Sequence, residues 1–216
     1  MGANRRLFVT GVARWARPGP RRAPDGSDGR GPRDVPTVAG MDVATLLQEV
    51  LGRARELAPG VVEGLSVEEL ATPPAEGANT IAWLVWHQAR VMDDHLADAA
   101  GRRQVWHEAG EGPAGSWREA FALDLPAGDT GYGHDADDVA RVRVSADLLA
   151  GYADAVGARA HEVVGALDAE ALDRVVDEGW DPPVTYGVRL ASVASDCLQH
   201  LGQAAYVRGL LDRRDG

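Results

Sequence analysis

Residues 79–101 read NTIAWLVWHQARVMDDHLADAAG, and this stretch includes the most apolar part of the chain. Its apolar pattern predicts a long helix over about 80–100. Asn79 or Thr80 can accept a hydrogen bond as the N-cap, and Gly101 can end the helix in the left-handed conformation. His87 lies in the middle of this helix, which is the second of four long helices that the sequence predicts.

The other three helices are predicted from apolar residues that recur at three- and four-residue steps. The first covers 46–57 and is expected to end at Pro59-Gly60. The third runs over about 145–167, and the fourth spans about 185–212. No internal repeat and no series of alternating strands is present. These four helices predict an all-α protein that folds as a four-helix bundle.

The segments between these helices differ in length. Short turns are predicted at 66–70, where Ser66 begins a capping box, and at 168–172. Residues 173–185 are expected to be extended, because they contain two consecutive prolines. The connection 102–144 is unusually long for a compact domain, and connections of that length are often functional or form a packed lid.

Residues 1–40 differ in composition from the rest of the chain. They contain eight Arg and three Asp and carry a net charge of +5, whereas residues 41–216 carry −16. Apolar periodicity is absent, so this segment cannot bury enough surface to offset the entropy lost on ordering. We expect 1–40 to be a disordered Arg/Pro/Gly-rich tail or, if translation begins at Met41, a mis-assigned start. Residues 41–216 form the predicted domain.

Composition and charge exclude several classes of protein. The formal net charge of −11 opposes binding to nucleic-acid phosphates, so no nucleic-acid partner is expected. No stretch approaches the ~18 uninterrupted apolar residues of a membrane helix, and no secretory signal is recognisable. We therefore expect a cytoplasmic protein with no membrane partner. A single cysteine excludes an internal disulfide framework and a multi-cysteine zinc site.

Two histidines lie in the middle of predicted helices. His87 is in the second helix, and His200 is in the fourth, within SDCLQHLGQAAYVRGLL (195–211). Asp196 precedes His200 by four residues, so both side chains project from one helical face. Such a pair can chelate one ion, and a third ligand from a facing helix would complete a site with open coordination positions. The alternative is that Asp196 only forms an intrahelical hydrogen bond with His200.

Two segments, NTIAWLVWH (79–87) and QHLGQAAYVRGLL (199–211), resemble the signature segments of the DinB/YfiT-like superfamily. The resemblance covers roughly 42–212. The superfamily includes the metal-binding domain of mycothiol-dependent maleylpyruvate isomerases. The resemblance implies an up-down-down-up order of the four helices. It also implies a divalent metal ion, held by one histidine of the second helix and by an H-x-x-x-H pair of the fourth.

By this resemblance the metal ligands are His87, Asp196 and His200. Asp196 stands where the superfamily has the first histidine of the pair. Two histidines with one carboxylate are a known ligand set, and we expect zinc, with nickel or iron as alternatives. The added negative charge makes a bound water less acidic than three histidines would. The alternative is a decayed site in which Asp196 packs near His200 without a metal.

Three polar residues outside this set are candidates for the surroundings of the site. Asp94 and His95 lie two turns beyond His87 on a similar face. They are expected either at a solvated helix end or beside the site, as supporting groups or extra ligands. His134 lies in the long connection, and we expect it either to be exposed or to line the mouth of the site.

Two residues of the fourth helix lie next to the predicted ligands. Gln203 is one turn beyond His200 and can orient a ligand, which the resemblance alone supports. Cys197 points about 100° away from Asp196 and is expected to be an inert core cysteine. The tryptophans, Trp83 among them, are expected to pack in the core rather than to form a stacking platform.

Two functions from different classes fit these observations. The first is a metal-dependent enzyme acting on a small molecule, namely a thiol-dependent S-transferase or isomerase or a hydrolase, with mycothiol as the cosubstrate that the resemblance implies. The second is a non-catalytic dimeric module that binds a metal or a small ligand at a decayed site. No catalytic residue beyond the candidate ligands can be named from the sequence.

A homodimer is expected with either function, because the fourth helix carries apolar or small residues on several sides. One face of a bundle cannot bury all of them, and a helix that is apolar all round needs a second partner. The residues concerned are Leu198, Leu201, Ala204, Ala205, Val207 and Leu210.

The tail is predicted to be dispensable. A chain that begins at Met41 should keep the helix content and the melting temperature of the full chain, because residues 1–40 have no apolar pattern with which to pack. Circular dichroism during heating measures both quantities. A melting temperature lower by more than a few degrees would show that the tail packs on the domain.

Overall fold

The computed structural model describes residues 41–213, so the predicted tail 1–40 lies outside the described residues. The α-helices of this part are α1 (Val43–Val62), α2 (Val67–Leu70), α3 (Ile81–Ala100), α4 (Trp117–Phe121), α5 (Ala136–Ala140), α6 (Ala146–Gly165) and α7 (Tyr186–Leu211). Short 3-10 helices lie at Val105–His107 and Ala171–Asp173. Within residues 41–213, no helix is long and apolar enough to cross a membrane.

The long helices begin where side chains can accept hydrogen bonds from the first turn. Thr80 accepts from the Trp83 N–H at 3.1 Å and starts α3, which ends at Gly101 with a φ of 63°. Ser145 caps α6 and Thr185 caps α7 in the same way. The boundaries predicted for these three helices are therefore confirmed to within about two residues.

The predicted end of the first helix is wrong. Pro59 lies inside α1, which continues to Val62. Proline removes one backbone donor in the last turn, but the Glu63 N–H still donates to the Pro59 carbonyl at 2.9 Å. Val61 and Val62 are buried in the core, and this burial favours the extra turn over the break that proline alone would cause.

The segment 173–185 is extended in two places, as predicted, and these two stretches also pair, whereas Asp173 ends a 3-10 helix. β1 (Val175–Asp177) and β2 (Val184–Thr185) form a two-stranded antiparallel sheet whose register is irregular between Val175 and Asp177. This hairpin joins the end of α6 to the start of α7. The fold remains an all-α bundle, because the four long helices supply most of its core.

The directions of the four long helices follow from contacts between them. α1 is antiparallel to α6, α3 is antiparallel to α7, and α3 is parallel to α6, which gives the up-down-down-up order that the resemblance implied. The contacts are Gln48–His161 and Arg55–Asp154 for α1 and α6, Gln88–Cys197 and His95–Arg189 for α3 and α7, and Asp93–Tyr152 for α3 and α6, followed by Arg102–Glu162 two residues beyond the end of α3.

The long connection returns the chain along the bundle. A helix of 20 residues such as α3 is about 30 Å long, so the chain must cover that distance before a parallel neighbour can begin. Between α3 and α6 this connection contains the 3-10 helix Val105–His107, α4 and α5. Trp106, Trp117 and Phe121 from the connection are buried against Tyr152 of α6, with ring centroids 5.0–5.8 Å from the tyrosine ring. The connection is thus part of the core.

Asp93 of α3 is a buried carboxylate that holds the connection in place. It accepts hydrogen bonds from the Val105 and Trp106 N–H groups and from the Tyr152 hydroxyl, each at 2.8 Å. Burial raises the pKa of Asp93, and these hydrogen bonds oppose that rise. Donors from the connection and from α6 therefore favour the charged form of Asp93, against the effect of burial.

Arg90, one turn before Asp93, is completely buried beside it, with an Nη1–Oδ2 distance of 3.5 Å. Its Nε–H donates to the Asp129 carbonyl at 3.1 Å, and Nη1 donates to the Gln104 side chain at 3.0 Å. The guanidinium also lies 4.9 Å from the centre of the Trp106 ring. Arg90 therefore attaches two separate parts of the connection to α3, the first near its start and the second in its latter half.

Removal of the Tyr152 hydroxyl should destabilise the fold. Tyr152→Phe should lower the free energy of unfolding by about 1–3 kcal/mol, because the buried Asp93 carboxylate loses one of its three donors. Tyr206→Phe is the matched control, since Tyr206 is 67% exposed and should change the free energy by less than about 0.5 kcal/mol. Urea denaturation of both variants measures the difference. If Tyr152→Phe and Tyr206→Phe have the same unfolding curve, the Tyr152 hydroxyl does not stabilise the fold.

Candidate metal centre

His87 enters the centre from α3. Its side chain is buried and stacks on Trp83, one turn earlier, with ring centroids 4.4 Å apart. The Nδ1 atom is hydrogen-bonded to the Thr130 carbonyl, which can only accept, so Nδ1 carries the proton. The lone pair of Nε2 is therefore free to bind a cation.

Asp196 and His200 enter from α7, one helical turn apart. The His200 Nδ1–H donates to Gln203 Oε1 at 3.0 Å, which leaves the Nε2 lone pair free. His200 Nε2 lies 3.5 Å from Asp196 Oδ1. Two acceptor atoms that face each other at this distance need a cation between them, either a proton on the imidazole or a metal ion.

The antiparallel packing of α3 and α7 brings the three side chains together. Ligand atoms of His87, Asp196 and His200 all lie within 4.8 Å of one another. The two imidazole rings have centroids 4.8 Å apart and an interplanar angle of 73°. That these three residues bind a metal stays a prediction.

The donor set fits a divalent ion. Asp196 Oδ2 is buried and has no hydrogen-bond partner among residues 41–213. A buried carboxylate oxygen without a partner is costly, and a cation would remove that cost. Bonds of about 2.1 Å in a tetrahedral site place the ligand atoms about 3.4 Å apart. The side chains would therefore have to move together by roughly an ångström.

The environments of the two histidines shift their pKa values in opposite directions. Burial lowers the pKa of His87, and the positive charge that His200 can carry lowers it further, although the Thr130 carbonyl raises it. Burial also lowers the pKa of His200, but the hydrogen bonds to Asp196 and Gln203 outweigh it, and the net shift is upward. His200 therefore takes up a proton at a higher pH than His87 does.

Comparison with known proteins identifies the family. The model of the mycothiol S-transferases matches residues 46–213. The chain belongs to the mycothiol S-transferase family, a DinB/YfiT-like family. The crystal structure of a conserved protein of Enterococcus faecalis has the same fold, with a TM-score of 0.70 and 34% sequence identity over 78% of this chain and 96% of that chain. No curated protein matches the chain.

Three other candidate residues of this family member lie outside the centre. Asp94 accepts a hydrogen bond from Gln104 at 2.6 Å, and His95 Nδ1 is bonded to Arg189 at 3.0 Å. Neither is placed as an extra ligand, because each is held by a partner at the far end of α3. Cys197 is buried, and its thiol donates to a backbone carbonyl of α3. Burial raises the pKa of this thiol, so it is an unreactive core residue, as predicted.

His134 contacts the surroundings of the centre. Its side chain is only 5% exposed, so the expectation of an exposed loop histidine is wrong. The Trp83 Nε1–H donates to His134 Nδ1 at 3.0 Å, so Trp83 supports the centre as well as packing in the core. Sequence reasoning missed Asp129, Thr130 and Gly131, which lie beside this histidine in DTGYGHD (129–135).

Zinc affinity is predicted to depend on pH in two steps. As pH falls from 8.0, zinc affinity should drop about tenfold per pH unit once His200 takes up a proton. This drop should begin above the ordinary histidine pKa of about 6.5, because the pKa of His200 is raised. The slope should steepen at lower pH, where His87 also takes up a proton. Competition with a chromophoric chelator between pH 8.0 and 5.5 measures the curve.

His161→Ala is the control for this experiment, because His161 is an exposed histidine of α6. This variant should reproduce the curve of the unaltered chain. A zinc affinity that stays constant from pH 8 to pH 6 would exclude the two histidines as ligands.

Proposed function

We propose that the chain is a divalent-metal-dependent S-transferase that takes mycothiol as the thiol and joins it to a small electrophile. Membership of the mycothiol S-transferase family supports the thiol and the reaction class. The observation that carries the proposal is the convergence of His87, Asp196 and His200, with a buried Asp196 oxygen that has no other partner among residues 41–213. We propose zinc for this site, with nickel or iron as alternatives.

The residues around the three candidate ligands have different roles. The Thr130 carbonyl and Gln203 Oε1 accept hydrogen bonds from the Nδ1–H groups of the two histidines and so keep both Nε2 lone pairs directed inward. Trp83 is buried, stacks on the ring of His87 with centroids 4.4 Å apart, and makes a T-shaped contact with His200 at 6.0 Å, so an apolar ring covers this side of the centre. His200 and Asp196 are each partly exposed, so a substrate would approach from the α7 side.

When bound, a divalent ion supplies a positive charge that lowers the pKa of a thiol. In the net reaction the thiol loses its proton, an S–C bond forms to the electrophile, and the bond from that carbon to the leaving group breaks. Asp196 adds a negative charge that a third histidine would not, so this centre should acidify a thiol less than a site of three histidines. Among residues 41–213 Asp196 forms no ion pair with an arginine, so the carboxylate stays available to the cation.

Other reactions remain alternatives within this proposal. The same three metal ligands could serve a thiol-dependent isomerase or a hydrolase, because such enzymes would differ from an S-transferase in their substrates rather than in their metal ligands. A non-catalytic module that binds a metal or a small ligand is the alternative from another class. The homodimer and the cytoplasmic location expected from the sequence also belong to the proposal.

Metal content and S-transfer should depend on the same residues. The purified chain without a His-tag should contain about one divalent ion per chain by elemental analysis and should join mycothiol to an alkylating electrophile such as monobromobimane. His200→Ala should lose the metal and more than about 100-fold in rate, because even groups that only support ligands are worth about 10–100-fold. Asp196→His should keep the metal, since it restores a third imidazole. His161→Ala is the matched control and should match the unaltered chain.

Each remaining outcome contradicts part of the proposal. A chain that holds metal but transfers no thiol from a panel of thiols and electrophiles would favour the non-catalytic module. A chain that neither holds metal nor takes up added zinc would show that the site has decayed. A His200→Ala variant that keeps metal and rate would remove this histidine from the centre.

A further inference from the structure

We propose that Asp129 and His134 are positioning residues of the candidate metal centre. With the residues between them they form a clamp, defined here as residues 129–134, that holds the Thr130 carbonyl on Nδ1 of His87. The clamp thereby keeps the lone pair of His87 Nε2 directed at the other two ligands. This inference deepens the proposed function. Its statement on zinc affinity rests on that function, whereas its statement on the tautomer of His87 does not.

His134 is the outer anchor of the clamp. Its Nδ1 atom accepts from the Trp83 Nε1–H at 3.0 Å, and its Nε2–H donates to Asp129 Oδ2 at 2.9 Å. Its ring also lies against Trp86, with centroids 5.9 Å apart and an interplanar angle of 19°. Both ring nitrogens of this nearly buried side chain are therefore occupied, which fixes the ring in one orientation.

Asp129 is the inner anchor. One carboxylate oxygen accepts from His134, and the other accepts from the Gly131 N–H at 3.2 Å. Its backbone carbonyl accepts from the fully buried Arg90 at 3.1 Å. The Asp129 side chain thus bends the chain around Thr130, and Arg90 attaches the bend to α3.

Gly131 allows the backbone to approach His87 closely. It has a φ of 91°, a conformation that disfavours residues with a Cβ. A Cβ built at this position would lie 2.7 Å from His87 Nδ1 and 3.0 Å from the Trp86 ring. Only glycine brings the neighbouring Thr130 carbonyl onto His87 without a collision.

These contacts form a closed circuit. It runs from His87 to the Thr130 carbonyl, through Asp129 to His134, on to Trp83, and back to His87 by ring stacking. A loop that only filled space could use apolar residues here at little cost to stability. The part-buried pair of Asp129 and His134 instead makes the position of one carbonyl depend on the same tryptophan that supports the ligand ring.

The clamp decides which nitrogen of His87 carries the proton. A neutral imidazole without a strong acceptor at Nδ1 favours the proton on Nε2, and a protonated Nε2 cannot bind a metal. With the Thr130 carbonyl in place, the proton is held on Nδ1. Loss of either anchor should therefore lower zinc affinity without unfolding the bundle.

Zinc titration and nitrogen NMR of four variants test the clamp. Asp129→Asn and His134→Leu should each lower zinc affinity about 10–100-fold, the range typical of groups that orient ligands. In the metal-free protein at pH 8, long-range 1H–15N spectra should show His87 protonated on Nδ1 in the unaltered chain and a mixture of tautomers in both variants. His134→Gln should stay within about threefold of the unaltered affinity, because its amide can still donate to Asp129 and accept from Trp83.

Asp124→Asn is the matched control, since it makes the same charge change at an exposed position of the same connection. If Asp129→Asn has the same zinc affinity and the same His87 tautomer as Asp124→Asn, the inference is overturned. Equal losses in His134→Leu and His134→Gln would overturn it as well. If the unaltered chain binds no zinc, the proposed function fails, and the tautomer of His87 alone decides on the clamp.

Discussion

The parallel packing of α3 and α6 is the constraint on which the other features depend. Two neighbouring helices that run in the same direction cannot be joined by a short turn, so the chain has to return along the bundle. The returning segment passes over α3 and supplies donors and acceptors to its polar side chains. A bundle of four alternating helices would need no such segment, and these side chains would then have no partners from it.

Three polar residues of α3 bind the returning segment, and they follow each other at three-residue steps along one side of the helix. His87 donates to the Thr130 carbonyl, Arg90 donates to the Asp129 carbonyl, and Asp93 accepts from two backbone N–H groups. Each of these side chains thus has at least one backbone partner, which offsets part of its desolvation. The groups that stabilise the crossing and the group that can bind a cation therefore share one row along α3.

Sequence reasoning succeeded where the signals were local. Thr80, Ser145 and Gly101 mark helix ends through contacts within one turn, and the spacing of Asp196 and His200 places them on one face before any tertiary contact is known. It failed at Pro59, where burial of the following residues outweighs a local rule. Thr130 could not be found from the sequence either, because its meeting with a residue 43 positions earlier depends on the path of the whole connection.

The three candidate ligands come from the second and the last of the long helices. Within residues 41–213, α7 is synthesised after α1, α3 and α6, and N-terminal parts of a chain generally fold first. A nascent chain that has completed α1, α3 and α6 presents His87 and its supporting carbonyl but lacks the other two side chains. The complete centre therefore exists only after α7 has been synthesised and has docked on α3, and an ion bound there would join two helices that lie about a hundred residues apart in the chain.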